Sequence, residues 1–285
     1  MFEGFEVRYL RVKDGILRVR TGGKGPPLLL IHGHPRTHTT WHRVAERLSD
    51  RFSIICPDLP GFGQSFKPTD RPDHANSSKR VKAAALGELM TELGHHSFDV
   101  AGHDRGAYTA FRLAMDHPQR VRRLAVLDGV PILEALERCR ELFARRWWHW
   151  FFYAQPEKPE RAILADPLAW YGGSPQAMGT ENYADYLEAI TDPSTVHTML
   201  EDYRAGLAID HQHDRADRAA GRQLQCPLLA LWSERDDLPE LYGDVVDVWR
   251  AWAGDVSGSS IPCGHHMAED APEALAQKLR QFFDV

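Results

Sequence analysis

Phe98-Asp99-Val100-Ala101-Gly102-His103-Asp104-Arg105-Gly106-Ala107 reads as a buried strand, a sharp turn and the first turn of a helix. Glycines two residues either side of Asp104 fit a turn in which strand and helix approach closely. Such a turn projects its central side chain from the carboxyl edge of a sheet. It also puts that side chain at a helix N-terminus, where free N–H groups and the helix dipole favour an anion. A carboxylate held there is a competent nucleophile towards carbon. The plainer interpretation is a glycine turn with Asp104 as helix cap, and the motifs elsewhere in the chain weigh against it.

Outward from this turn, strands and helices alternate. Segments 5–12 and 15–21 alternate around Lys13-Asp14-Gly15 as a hairpin. Pro27–Ile31 (PLLLI) and 52–56 (FSIIC) are short apolar runs, expected as strands buried on both faces. Helical periodicity follows at 40–48, 79–93 and 106–117, with strands expected at 97–101 and 121–127. From 131 to 213 strand signals stop and the chain becomes aromatic and helical in pattern, as in Trp147-Trp148-His149-Trp150-Phe151-Phe152-Tyr153. The alternation resumes with a strand at 227–232, a helix at 241–253, a short strand at 259–262 and a helix from Ala271. The pattern predicts an α/β fold: a mostly parallel sheet covered by helices on both faces. A core of residues 1–130 and 214–285 would carry a helical cap, 131–213, inserted after one strand.

Composition narrows the function. The 285 residues carry a formal net charge of −6, which disfavours nucleic acid or an acidic membrane as partner. No apolar run approaches the ~18 residues of a membrane span, and the N-terminus has no basic-then-apolar segment. Cys56, Cys139, Cys226 and Cys263 are far apart and read as free thiols, which fits a cytoplasmic enzyme. The histidines show no zinc-type spacing.

Three further motifs accompany Asp104. His32-Gly33-His34-Pro35 follows a buried strand. Asp58-Leu59-Pro60-Gly61-Phe62-Gly63-Gln64-Ser65 is a glycine-rich turn. Gly264-His265 follows the last strand, where His265 is placed to act as general base. Two residues qualify as the acid that orients it. Asp128, closing Val121–Leu127, is preferred; Asp236, after the following core strand, is the alternative.

These motifs resemble the fluoroacetate and haloacetate dehalogenases of the α/β-hydrolase fold, in the branch that includes haloalkane dehalogenases and epoxide hydrolases. The likeness runs over nearly the whole chain. It rests on His-Gly-x-Pro at 32–35, Gly-His-Asp-Arg-Gly at 102–106, Ala-x-Asp-His-Pro at 114–118, Trp-His-Trp at 148–150, Glu-Asp-Tyr-Arg-Ala-Gly at 201–206 and Gly-His at 264–265. The resemblance implies that Asp104 displaces halide to form an ester, which water activated by His265 then hydrolyses. It implies an oxyanion held by the backbone N–H groups of His34 and Arg105, and a halide pocket of His149, Trp150 and Tyr203. It implies a small-molecule substrate, no metal or organic cofactor, and a tendency to homodimers. One departure stands out. Haloacetate enzymes usually carry a second arginine four residues past the nucleophile, forking the substrate carboxylate with the first. Here that position is Tyr108, which cannot give a bidentate charged contact, although Arg145 or Arg146 is available to substitute. An epoxide hydrolase using the same Asp104 and His265, with His149 and Tyr203 as proton donors, is the alternative activity. Trp150 favours halide, because an indole N–H cannot give up its proton. Retention of both Asp104 and His265 disfavours a catalytically idle binding protein.

Overall fold

The computed structural model describes residues 1–284 and contains one eight-stranded sheet. Its strands are β1 (Glu6–Val12), β2 (Gly15–Gly23), β3 (Pro27–Ile31), β4 (Ser53–Pro57), β5 (Phe98–His103), β6 (Val121–Leu127), β7 (Leu228–Ser233) and β8 (Val256–Ile261). They lie in the order β1-β2-β4-β3-β5-β6-β7-β8. The β1–β2 hairpin closes with Val12 opposite Gly15, and β2 is antiparallel to β4. From β4 to β8 every pairing is parallel.

Continuous apolar strands produce this architecture because both faces are covered. Leu29, Ile31, Val100, Leu124 and Val126 join one core, shared with Leu86, Leu89 and Phe111 from helices Lys79–Glu92 and Arg105–Asp116. Their neighbours Leu28, Leu30, Ala101, Ala125 and Leu127 join the opposite core, with Leu48 from helix His42–Leu48 and Leu275 and Leu279 from helix Pro272–Phe283. Alternate residues of each strand thus serve alternate layers.

Sequence periodicity misread two places. A single helix was expected at 241–253, but Gly243 adopts φ +74° and breaks it into Leu238–Tyr242 and Val245–Arg250, the second capped by Asp244. The last strand begins at Val256, earlier than expected at 259. As the sheet edge it carries the polar run Val-Ser-Gly-Ser-Ser-Ile, which shows no apolar alternation.

Two features of the topology position a site. The chain goes from β3 to β4 on one side and later returns to place β5 on the other, so the loops after β3 and β5 diverge over a crevice at the carboxyl edge. Between β6 and β7 the chain runs through a succession of helices, from Ile132–Glu137 to His211–Ala219, that roofs this edge. Ion pairs join the helical insert to the sheet layers: partly buried Arg18 with Asp185, and buried Arg105 with Asp202 and Arg112 with Asp214 and Asp217.

Candidate active site

Asp104 occupies the turn between β5 and helix Arg105–Asp116 with φ +52° and ψ −120°, a conformation that an L-residue adopts only under constraint. The constraint is close packing. A Cβ on Gly106 would lie 2.4 Å from the carbonyl oxygen of His32, and one on Gly33 would lie 2.4 Å from Asp104 Oδ1. Both positions therefore require glycine, and together they press the loop after β3 against the turn.

The backbone N–H of His34 donates to Asp104 Oδ1 at 2.7 Å. His32 holds that loop in place. Its Nδ1 bonds the Gly33 carbonyl at 2.9 Å, and its Nε2 accepts from the Leu59 N–H at 3.0 Å. Burial lowers the His32 pKa to about 4, which keeps the ring neutral, as these two roles require. Asp58, in the glycine-rich turn, accepts from Arg18, from Gln64 N–H and from His38. That turn is a structural fixture beneath the site.

His265 brings three carboxylates together. Its Nε2 is 4.0 Å from Asp104 Oδ2, and its Nδ1 is 2.7 Å from Asp236 Oδ2 and 3.5 Å from Asp128 Oδ2. Both acids considered from the sequence are therefore present at the same nitrogen, with the shorter contact to Asp236. Asp128 is fully buried, and its two oxygens accept from the backbone N–H and the hydroxyl of Ser233. Burial alone would pull the His265 pKa down. Hydrogen bonding to Asp128 and Asp236 and the charge of Asp104 outweigh burial and raise it well above the ordinary range. His103, inside the Gly-x-Asp-x-Gly motif, donates from Nε2 to the His265 carbonyl at 2.7 Å. Its pKa is lowered to about 3, chiefly by burial. His103 and Ser233 were not singled out in the sequence. Their positions directly beside Asp104 and at the end of β7 are the signals that mark them.

Above these groups lies a cavity of about 310 Å³ between the sheet edge and the helical insert. His149, Trp150 and Tyr203 line it with Asp104, His265 and Tyr108. The rings of His149 and Trp150 lie 6.0 and 6.3 Å from that of Tyr203. Among the described residues, no hydrogen bond engages the His149 ring, the Trp150 indole N–H or the Tyr203 hydroxyl. Burial lowers the His149 pKa to about 4, so the ring is neutral at pH 7.

Arg105 departs from the expected arrangement. Its side chain, 1% exposed, is absent from the cavity wall. Nε bonds Asp202 Oδ2 at 2.5 Å and Nη2 bonds the Asp202 carbonyl at 2.8 Å. The Tyr203 ring covers the guanidinium at 4.1 Å, with Tyr108 and Trp150 at 5.2 and 5.3 Å. Asp202 belongs to the helical insert, 97 residues away in sequence, so local spacing gave no sign of the pairing.

Comparison with known proteins gives the family and the fold. A family model described as alpha/beta hydrolase fold matches residues 26–271. A fluoroacetate dehalogenase from Burkholderia sp is 40% identical over 99% of this chain and 95% of that protein. A soluble epoxide hydrolase from Corynebacterium sp. (strain C12) is 29% identical over 99% of this chain and 95% of its own length. Among solved structures, an α/β-hydrolase-type protein from Nostoc sp PCC 7120 superposes with a TM-score of 0.94 at 40% identity, covering 99% of both chains.

Proposed function

This chain belongs to the α/β hydrolase fold family, and we propose that it is a hydrolytic dehalogenase working through an ester on Asp104. The observation that carries this reading is a carboxylate, rather than a hydroxyl, held at φ +52° in the elbow and facing His265. A carboxylate is a poor choice for attacking an ester or amide carbonyl, because the tetrahedral intermediate expels the carboxylate more readily than an alkoxide or amine and collapses back to reactants. It suits displacement at a saturated carbon, where it yields a stable ester.

In the first step Asp104 Oδ2 attacks the carbon, and the halide leaves with the bonding electron pair. The neutral His149 ring, the Trp150 N–H and the Tyr203 hydroxyl are donors without protein acceptors, suited to replace water around the departing anion. In the second step water attacks the Asp104 carboxyl carbon and passes a proton to His265 Nε2. The oxyanion forms on Oδ1, which already accepts the His34 N–H at 2.7 Å. Collapse breaks the bond from carboxyl carbon to Oδ2, and the product alcohol leaves with the proton from His265. The balance is organohalide plus water to alcohol, halide and a proton.

A second reading has its own support. His149 and Tyr203 are also placed to protonate an opening epoxide, and the Corynebacterium relative is named an epoxide hydrolase. Trp150 has no part in that chemistry, which favours the dehalogenase.

The test is covalent trapping. Asp104→Asn abolishes turnover, and His265→Asn accumulates an adduct on Asp104, read by intact-protein mass after incubation with chloroacetate or chloroacetanilide. An unmodified His265→Asn protein with either compound, alongside an active wild type, contradicts the two-step scheme.

A further inference from the structure

The cavity wall shows a mismatch with a small anionic substrate. Binding a haloacid needs at least one cation facing its carboxylate. Arg105 is not on the wall: Nε and Nη2 bond Asp202, Nη1 has no partner among the described residues, and the Tyr203, Tyr108 and Trp150 rings that pack against the guanidinium line the cavity in its place. At 108 the wall offers a phenol, which burial keeps protonated. Arg146 reaches the cavity only at its rim, with half of its side chain in solvent and Nη2 bonded to Glu240 at 3.0 Å. Against this stand four carboxyl groups on the lining, from Asp104, Asp128, Asp236 and Asp237. Burial and the neighbouring Asp236 favour the neutral form of Asp237. Counted as neutral, it still leaves three carboxylates facing two cations, His265 and Arg146. An incoming carboxylate finds no cation on the wall that is not already paired, since Arg146 is bonded to Glu240 and His265 to Asp236.

A different group on the wall lacks a partner. The His34 side chain is 8% exposed and lines the cavity, yet neither Nδ1 nor Nε2 finds a hydrogen-bond partner among the described residues. A buried imidazole with both nitrogens unpaired is costly unless something else supplies the bonds. Burial, helped by the positive charge of Arg105, keeps the ring neutral, so it has one donor and one acceptor nitrogen. Tyr153, Tyr171 and Tyr203 surround it with ring centroids 5.5, 5.1 and 5.2 Å away, which fixes its position. Its own backbone N–H is the one bonded to Asp104 Oδ1, and His34 and Asp104 share the cavity wall. The cavity, about 310 Å³, falls at the lower end of those that enclose drug-sized ligands, roughly 300–1,000 Å³, and its wall is largely aromatic.

We propose that this cavity selects an uncharged, aromatic-sized substrate with an amide, carbonyl or hydroxyl group beside the reacting carbon, held by the His34 imidazole, rather than a halocarboxylate anion. The proposal rests on the Asp104 ester chemistry above and names its substrate class.

Chloroacetate and chloroacetanilide carry the same chloromethyl carbon, one as an anion and the other as a neutral aromatic amide. Chloride release gives kcat/KM for each. The wild type favours the anilide by about tenfold or more. His34→Phe, which keeps the backbone N–H, lowers the anilide-to-acetate ratio about tenfold, chiefly through KM, while His34→Gln keeps a donor and an acceptor and restores most of it. Tyr108→Arg moves the ratio towards chloroacetate. A wild type that favours chloroacetate overturns the proposal, and so does a ratio that is the same in His34→Phe and His34→Gln. Trapping in His265→Asn keeps the two levels apart. An adduct with chloroacetate in preference to the anilide sinks the substrate class and spares the ester. No adduct with either compound sinks the ester chemistry and the substrate class with it.

Discussion

His265 sits among more negative charge than a general base needs. A base must be neutral to take a proton from water, yet the surrounding carboxylates hold its pKa well above the ordinary range. In the proposed mechanism ester formation removes part of this field, because Asp104 becomes neutral as soon as substrate is attached. The base is thus released when water is needed, and it stays protonated while Asp104 must remain ionised. The sign of the pH dependence follows. Turnover falls as pH drops through the His265 pKa of the ester state, and removing another carboxylate lowers that pKa. Asp236→Asn should therefore move the acid limb of the kcat–pH profile to lower pH. It should also cost about tenfold or more in kcat, because the Nδ1–H loses its 2.7 Å partner. Asp128→Asn should cost less, its contact being 3.5 Å and its oxygens engaged by Ser233. A larger loss in Asp128→Asn would transfer the orienting role to that residue. The sequence alone brought both acids to the site and preferred Asp128, because the end of a strand can be read from pattern but a difference of under an ångström between two loops cannot.

Among the elements, the parallel strands were the most legible: β3 and β6 lie at the residues expected, since continuous apolar runs allow little else. The edge strand β8 and the helix broken at Gly243 were less so, because polar edge residues and a single glycine leave the periodicity ambiguous. The least legible feature was how the insert's helices engage the sheet layers. Helix Pro193–Ala205 sends Asp202 into a buried group of cations, with Lys79 Nζ at 2.9 Å, Lys82 in contact and Arg105 at 2.5 Å. Burial opposes the ionised form of Asp202, but these three cations overcome it and hold the pKa well below the ordinary carboxylate range. Its stabilising contribution is therefore fully present above the unfolded carboxylate pKa and is lost as pH falls through the lower folded value. Asp202→Asn leaves buried cations uncompensated and should destabilise the protein by about 3–5 kcal/mol in urea unfolding at neutral pH. A change below about 1 kcal/mol would mean that this cluster does not anchor the insert.

Across the molecule, a sheet edge carries the proposed reacting groups and a helical roof adds a wall of aromatic side chains. No described helix is long and apolar enough to cross a membrane. The two halves of the site come from distant parts of the chain, so the chemistry depends on the roof being seated: Asp104 and His265 from the sheet layer, and His149, Trp150 and Tyr203 from the insert. In the proposed mechanism the oxygen delivered to substrate comes from Asp104 and is replaced from water. A single turnover with enzyme in excess, run in heavy-oxygen water and followed by mass spectrometry of the peptide bearing Asp104 and of the product, tests it directly. Heavy oxygen is expected in the Asp104 carboxylate and ordinary oxygen in the first-formed alcohol. Label in the alcohol with none in Asp104 would contradict it.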